Sequence, residues 1–240
     1  MSLLRPGALV ALSVVAVLLT GCAALAPMSL QRQAASASTS ASPAPSSSAI
    51  LVADPTVVAI GDSIMKGHGL KATAAWPALM AVEGGWRLDN LACDGAGFLA
   101  VGNDSDCAGT FADLVATTVA LHPRTVIIEG SSNDFGESND VLMPETDSQL
   151  AELRAALPNA QIIGLSTIWG DTAVPAQLAD VDKQVKNAVT KVGGTFLDIG
   201  QPLSGHPEWM QSDDVHPTAA GQLAIYGAVQ TAFNEAHLRA

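Results

Sequence analysis

The sequence predicts an α/β domain over residues 54–240, built on a central parallel sheet of about five strands. Two observations carry the expectation. Short β-rich apolar runs alternate with segments of helical period along the whole stretch. Strands separated by helices in this way pair in parallel, with helices covering both faces of the sheet. No internal repeat and no boundary interrupts these residues.

Taken in order, the strands are expected at Thr56–Gly61, Arg87–Leu91, Thr125–Glu129, Gln161–Leu165 and Gly194–Asp198. Helices are expected near Ala74–Val82, Phe111–Leu121, Glu145–Leu157 and Ala176–Val192, with a last one from Thr218 to about Ala236. Leu150, Leu153 and Leu157 recur at helical spacing and Pro158 ends that run, while Pro217 suits the first turn of the terminal helix. In such a sheet ligands sit outside the carboxyl ends of the strands.

The first 53 residues read differently. Arg5 precedes an apolar run from Ala8 to Leu19, the n-region and h-region of an export signal. The run is too short for a comfortable membrane span of roughly 20 residues. Leu19-Thr20-Gly21-Cys22 resembles the lipobox of bacterial lipoproteins, which implies a signal peptide over residues 1–21 and lipidation of Cys22. The alternative is an ordinary secretory signal with a chance cysteine. Both place the domain outside the cytoplasm, and the lipidated form would be anchored to the cell membrane, facing the cell wall or exterior. Residues 22–53 are dominated by Ala, Ser, Pro and Thr, without apolar periodicity, and are expected to be a disordered tether.

An exported chain with Cys22 removed retains two cysteines, Cys93 and Cys107, which an oxidising compartment would pair. Closing that loop contributes about 3 kcal/mol in the chain-entropy model. Two buried free thiols are the alternative. All 23 acidic residues lie from Asp54 onward beside nine basic ones, a net charge of −14 for the domain. That balance excludes a nucleic-acid partner, which needs a basic face.

Several residues could carry chemistry. Ser63 follows the first strand in "IGDSIMKGHG", where a serine could stand on a tight turn. A serine hydroxyl needs a base, usually a histidine oriented by a carboxylate. In "SDDVHPT", Asp213 lies three residues before His216, at the same end of the expected sheet. Asn133, after the third strand, offers a side-chain amide to an oxyanion, and Gly95, after the second, an unobstructed backbone N–H. Singly, each has a plainer reading: a cap or turn serine, a capping aspartate, a turn asparagine, a loop glycine. Trp169 and Trp209 could flank a cleft or pack in the core, and His206 is a weaker base candidate than His216.

Together these residues resemble the SGNH, or GDSL, hydrolase superfamily. Gly61-Asp62-Ser63-Ile64 matches its first block, Gly95 the glycine block, Asn133-Asp134 the end of the GxND block and Asp213 to His216 the DxxH block, in the family's order. Ser131 stands where the pattern has glycine, and Gly97 competes with Gly95 for the second block. The resemblance implies a flavodoxin-like three-layer α/β/α sandwich and a serine esterase acting on O-acyl esters, with short-chain or acetyl groups favoured by the small domain. It implies Ser63 as nucleophile, His216 as base, Asp213 as its orienting acid, and an oxyanion hole of Ser63, Gly95 and Asn133. No metal and no cofactor are called for. The implied partner is a small-molecule or glycan ester. An O-acyltransferase using the same residues and a non-catalytic glycan-binding lipoprotein are the competing functions.

Overall fold

The structure, a computed structural model, describes residues 56–103, 105 and 107–239. The residues expected to form a signal peptide, a lipidated Cys22 and a tether lie outside the described residues. Five strands form one sheet: β1 (Thr56–Ile60), β2 (Arg87–Asn90), β3 (Thr125–Glu129), β4 (Gln161–Leu165) and β5 (Thr195–Leu197). Their order is β2-β1-β3-β4-β5, and every neighbouring pair is parallel.

The alternation of side chains explains why β1 reads as an unbroken apolar run. Val58 and Ile60 join the core beneath α3 (Phe111–Leu121), α4 (Asn139–Ala156) and α5 (Ala176–Lys191). Val57 and Ala59 join the opposite core, beneath α2 (Trp76–Gly84) and α6 (Ala219–Glu235). All four are fully buried, so a polar residue on either face would lose a core contact. Each buried Val or Ile contributes about 1.5–3 kcal/mol. The expected three-layer sandwich is therefore observed.

Three features depart from expectation by more than a residue or two. Helix α4 starts at Asn139, and Pro144 lies inside it. Leu142 in that early segment is fully buried, so tertiary packing outweighs the backbone bond that proline removes. Pro217 is not in the first turn of α6. It precedes the cap Thr218 and instead forms an antiparallel bridge with Met210. A one-turn helix, α1 (Ser63–Lys66), follows β1 directly.

Because β2 and β3 flank β1 on opposite sides, the chain leaves the sheet in opposite directions at this point. A crevice forms outside the carboxyl ends of strands at such a switch. Ser63 after β1, Gly95 after β2 and Asn133 after β3 all belong to that end.

Candidate active site

Ser63 is the first residue of α1 and is 7% exposed. Asp62 caps this helix, its Oδ1 accepting a hydrogen bond from Ile64 N at 2.9 Å. The turn is packed so closely that residue 61 must be glycine. A Cβ there would lie 2.5 Å from Met65 Sδ and 2.6 Å from Glu129 Oε1. Glu129 Oε1 also accepts from Asp62 N at 3.2 Å. Behind the turn, Gln222 of α6 donates to Ile64 O and accepts from Trp76 N, both at 2.8 Å, tying α1 to α2.

Ser131, the departure from the family pattern, is integral to this framework. Its φ of −99° needs no glycine, and its side chain is fully buried. Its hydroxyl lies 2.9 Å from Asp62 Oδ2 and 2.8 Å from Ala96 O, and accepts from Asn133 N at 3.1 Å. One hydroxyl thereby joins the loops after β1, β2 and β3. Burial pushes the Glu129 carboxyl well up, and the adjacent Asp62 carboxylate adds to the shift. Burial also raises Asp62, against the hydrogen bonds from Ile64 and Ser131.

Asn133 sits on a 3-10 turn, Ser132–Asp134, and its Nδ2 donates to Ala96 O at 3.0 Å. That leaves the second amide hydrogen for a ligand. Asp134 accepts from the backbone N–H groups of Phe98, Leu99 and Ala100 at 2.8–3.0 Å, fixing the glycine loop against the end of β3. The two candidate glycines separate here. Gly97 N donates to Ala100 O, and a Cβ at Gly97 would lie 2.5 Å from Asp134 Oδ1. Gly95 has a φ of +76°, and its N–H donates to no other described group. A disulfide joins Cys93 to Cys107 and so brackets this loop.

The candidate base, His216, lies on an exposed hairpin. Its ends are held by the Met210–Pro217 bridge and by Gln211 N donating to His216 O at 2.7 Å. Asp213 Oδ1 accepts from Val215 N and His216 N, each at 3.0 Å, and Oδ2 lies 2.8 Å from His216 Nδ1. These bonds, the His216 N–H foremost, hold the Asp213 carboxyl far below the usual carboxylate range. The pair fixes the imidazole and leaves Nε2 for a partner. Among the described residues, the Ser63 hydroxyl makes no hydrogen bond to His216. Instead the His216 ring stacks on His68, with centroids 4.0 Å apart. Catalytic bonds of this kind commonly tighten only when substrate binds.

His68 was assigned no role from the sequence. Its Nδ1 lies 2.5 Å from Asp94 Oδ2, and Gln211 Nε2 donates to its carbonyl at 2.8 Å. Two imidazole–carboxylate pairs therefore stand side by side. The glutamate closing the apolar run "TVIIE" was the available signal for Glu129, since a charge at the end of a buried strand demands a partner. Gln222 had no signal of that kind.

A recess of about 90 Å³ reaches Ile64, the residue after Ser63, and is lined also by Ser132, Ile168, Trp169, Gly170, Thr172, Asp214 and Val215. Trp169 thus flanks the cleft, and Phe135 packs edge-on against it at 5.9 Å. Trp209 stacks on His206 at 3.7 Å and packs against the α2–α6 core, outside this recess. His206 does have a carboxylate close by in sequence, Glu208 at 2.8 Å, but it pairs there on the surface. A larger hollow of about 780 Å³ lies at the amino ends of β3 and β4, around His122, Arg124 and Arg239, and shares no residue with this site.

Known proteins resemble this chain in sequence and in fold. The family model for GDSL-like lipases and acylhydrolases matches residues 59–224. The chain is 24% identical over 176 residues to the thioesterase 1/protease 1/lysophospholipase L1 of Escherichia coli, covering 71% of this chain and 79% of that protein. The esterase EstA of Pseudoalteromonas superposes with a TM-score of 0.62 at 16% identity, over 77% of this chain and 99% of the other. A family two carbohydrate esterase from Clostridium thermocellum superposes with a TM-score of 0.58 at 17% identity, over 77% of this chain and 65% of the other.

Proposed function

Because the chain belongs to the GDSL-like lipase/acylhydrolase family and is a serine ester hydrolase, we propose that it removes short acyl groups, acetyl foremost, from O-acyl esters outside the cytoplasm. The size of the recess at Ile64 carries the acyl preference. At about 90 Å³ it is well below the roughly 300–1,000 Å³ of pockets that take drug-sized ligands, which suits a small acyl group. Ile64, Ile168, Trp169 and Val215 supply apolar contact for such a group. Trp169 and Phe135 at its rim suit a sugar ring as the alcohol portion.

In this reading Ser63 Oγ attacks the ester carbonyl carbon and passes its proton to His216 Nε2. Asp213 keeps the imidazole oriented and stabilises its charged form. The N–H groups of Ser63 and Gly95 and the Asn133 amide receive the oxyanion. The C–O bond then breaks as His216 protonates the departing alkoxide, leaving an acyl-Ser63. Water, deprotonated by His216, attacks that ester, and the acid leaves as Ser63 recovers its proton.

The export signal and the lipobox at Cys22 support a lipid-anchored protein facing the cell wall or exterior. The Cys93–Cys107 disulfide suits an oxidising compartment. Mass spectrometry of the N-terminal peptide from producing cells tests this, and an unmodified Cys22 would remove the anchor from the proposal.

The acyl preference is tested with p-nitrophenyl acetate, butyrate and octanoate, using the wild type beside Ser63→Ala and His216→Ala. Acetate and butyrate are expected to exceed octanoate in kcat/KM by at least about tenfold, with both variants near background. Equal rates for octanoate would defeat the short-chain reading. A Ser63→Ala protein as active as wild type would defeat the assignment of the nucleophile.

A further inference from the structure

We propose that His68, Asp213 and His216 form a binding site for a borderline transition-metal dication of the zinc class, and that its occupation switches the esterase off. One ligand atom from each of the three residues lies within 4.8 Å of those of the other two. The three come from separate parts of the chain: His68 follows α1, while Asp213 and His216 lie on the hairpin before α6. Stacking brings the rings together, and Gln211 joins their two backbones by its bonds to His68 O and Pro217 O.

The chemistry of the donors favours zinc over the hard cations. Two imidazoles and one carboxylate are the nitrogen-rich set that zinc takes, whereas calcium and magnesium want oxygen ligands alone. His68 is already prepared as a ligand. Asp94 holds its Nδ1 at 2.5 Å and fixes the ring orientation, as carboxylates do behind metal-bound histidines. The reaction proposed above asks nothing of the His68–Asp94 pair, which leaves it available for this second purpose. Zinc bonds of about 2.0–2.1 Å to nitrogen place ligand atoms about 3.3 Å apart. The three groups must therefore draw together by at most about 1.5 Å, and the exposed side chains of His68 and Asp213 leave room to do so.

Because Asp213 lies on the Nδ1 side of His216, a cation held by both would bind Nδ1 in place of their hydrogen bond, and the ring proton would move to Nε2, which could then no longer accept the serine proton. The cation is an inhibitor in this scheme and takes no part in the hydrolysis. Its removal by a chelator restores the base.

The test has two arms. In the first, zinc is titrated by calorimetry into the folded Ser63→Ala protein, whose binding does not depend on turnover. One zinc per chain is expected, with affinity reduced at least about tenfold in a Ser63→Ala, His68→Asn double variant. In the second, hydrolysis of p-nitrophenyl acetate by the wild type is measured against zinc, with magnesium for comparison, and each variant is normalised to its own metal-free rate. Zinc is expected to inhibit, EDTA to reverse the inhibition, and magnesium to have no effect. His68→Asn should raise the inhibitory zinc concentration about tenfold or more, and Asp94→Asn should raise it in the same direction. Unchanged zinc affinity on replacing His68 overturns the proposal, as does inhibition equal in wild type and His68→Asn. Stoichiometric zinc binding without any ester hydrolysis would instead count against the proposed function and leave the metal site standing.

Discussion

The two halves of the site are held by opposite means. Ser63 stands on a turn locked into the core, with Asp62, Glu129 and Ser131 almost wholly buried around it. His216 stands on an exposed hairpin, and the side chain of its partner Asp213 is 44% exposed. The proposed nucleophile is therefore positioned by packing, and the proposed base by local hydrogen bonds that water also competes for. In the proposed mechanism, a rigid nucleophile and an adjustable base would let the bond from His216 to Ser63 close around a substrate.

Breaking each half should consequently give different losses. Asp213→Asn keeps an oxygen that can accept from Val215 and His216 N–H, but removes the charge that supports the imidazolium. We expect activity to fall about a hundredfold to ten-thousandfold, with a loss of stability of no more than about 1 kcal/mol because the pair is exposed and screened. Parallel rate and denaturation measurements check this. A large loss of stability would show that the hairpin is as integral to the fold as the nucleophile turn.

The converse substitution is Gly61→Ala. Its new Cβ would crowd Met65 Sδ and Glu129 Oε1, and overpacking of this kind costs about 1–3 kcal/mol. Urea denaturation should show the loss directly, and activity should fall with it as Ser63 is displaced. An unchanged midpoint with full activity would mean that the turn is as forgiving as the base loop.

The same contrast governs what could be read from the sequence. The strands β3 and β4 and the helix α3 matched their expected bounds because apolar period and punctuation agreed there. Pro144 concealed the start of α4, since a local breaker says nothing about the burial of Leu142 two residues earlier. Ser63, Asn133, Asp213 and His216 could be singled out as candidates because their blocks are short and keep the family's order. Ser131 was legible only as a missing glycine. Its hydroxyl contacts are made to loops 35 and 69 residues away, and no local pattern encodes such a distance. His68 and Asp94 escaped for the same reason, meeting across 26 residues of chain.

The buried half also carries a pH signature opposite in sign to that of Asp213 in the exposed half. Glu129 has its proton affinity raised well above the ordinary glutamate value of 4.5, first by burial and then by Asp62. Below that ordinary value both the folded and the unfolded chain hold the proton, and the contribution to stability is fully present. As pH rises above it, the unfolded chain releases the proton while the folded chain keeps it, so stability declines until the folded value is passed. One proton gives a slope of at most about 1.4 kcal/mol per pH unit. Glu129→Gln preserves shape and an acceptor for Asp62 N but has no proton to release. Its unfolding free energy should fall less steeply than that of wild type as pH rises above about 4.5, and the curves measured by urea denaturation should diverge in that direction. Asp62, raised by burial as well, leaves a residual slope of the same sign in the variant. Superimposable curves would show that Glu129 ionises in the fold as readily as in water, and the contrast between the halves would then rest on packing alone.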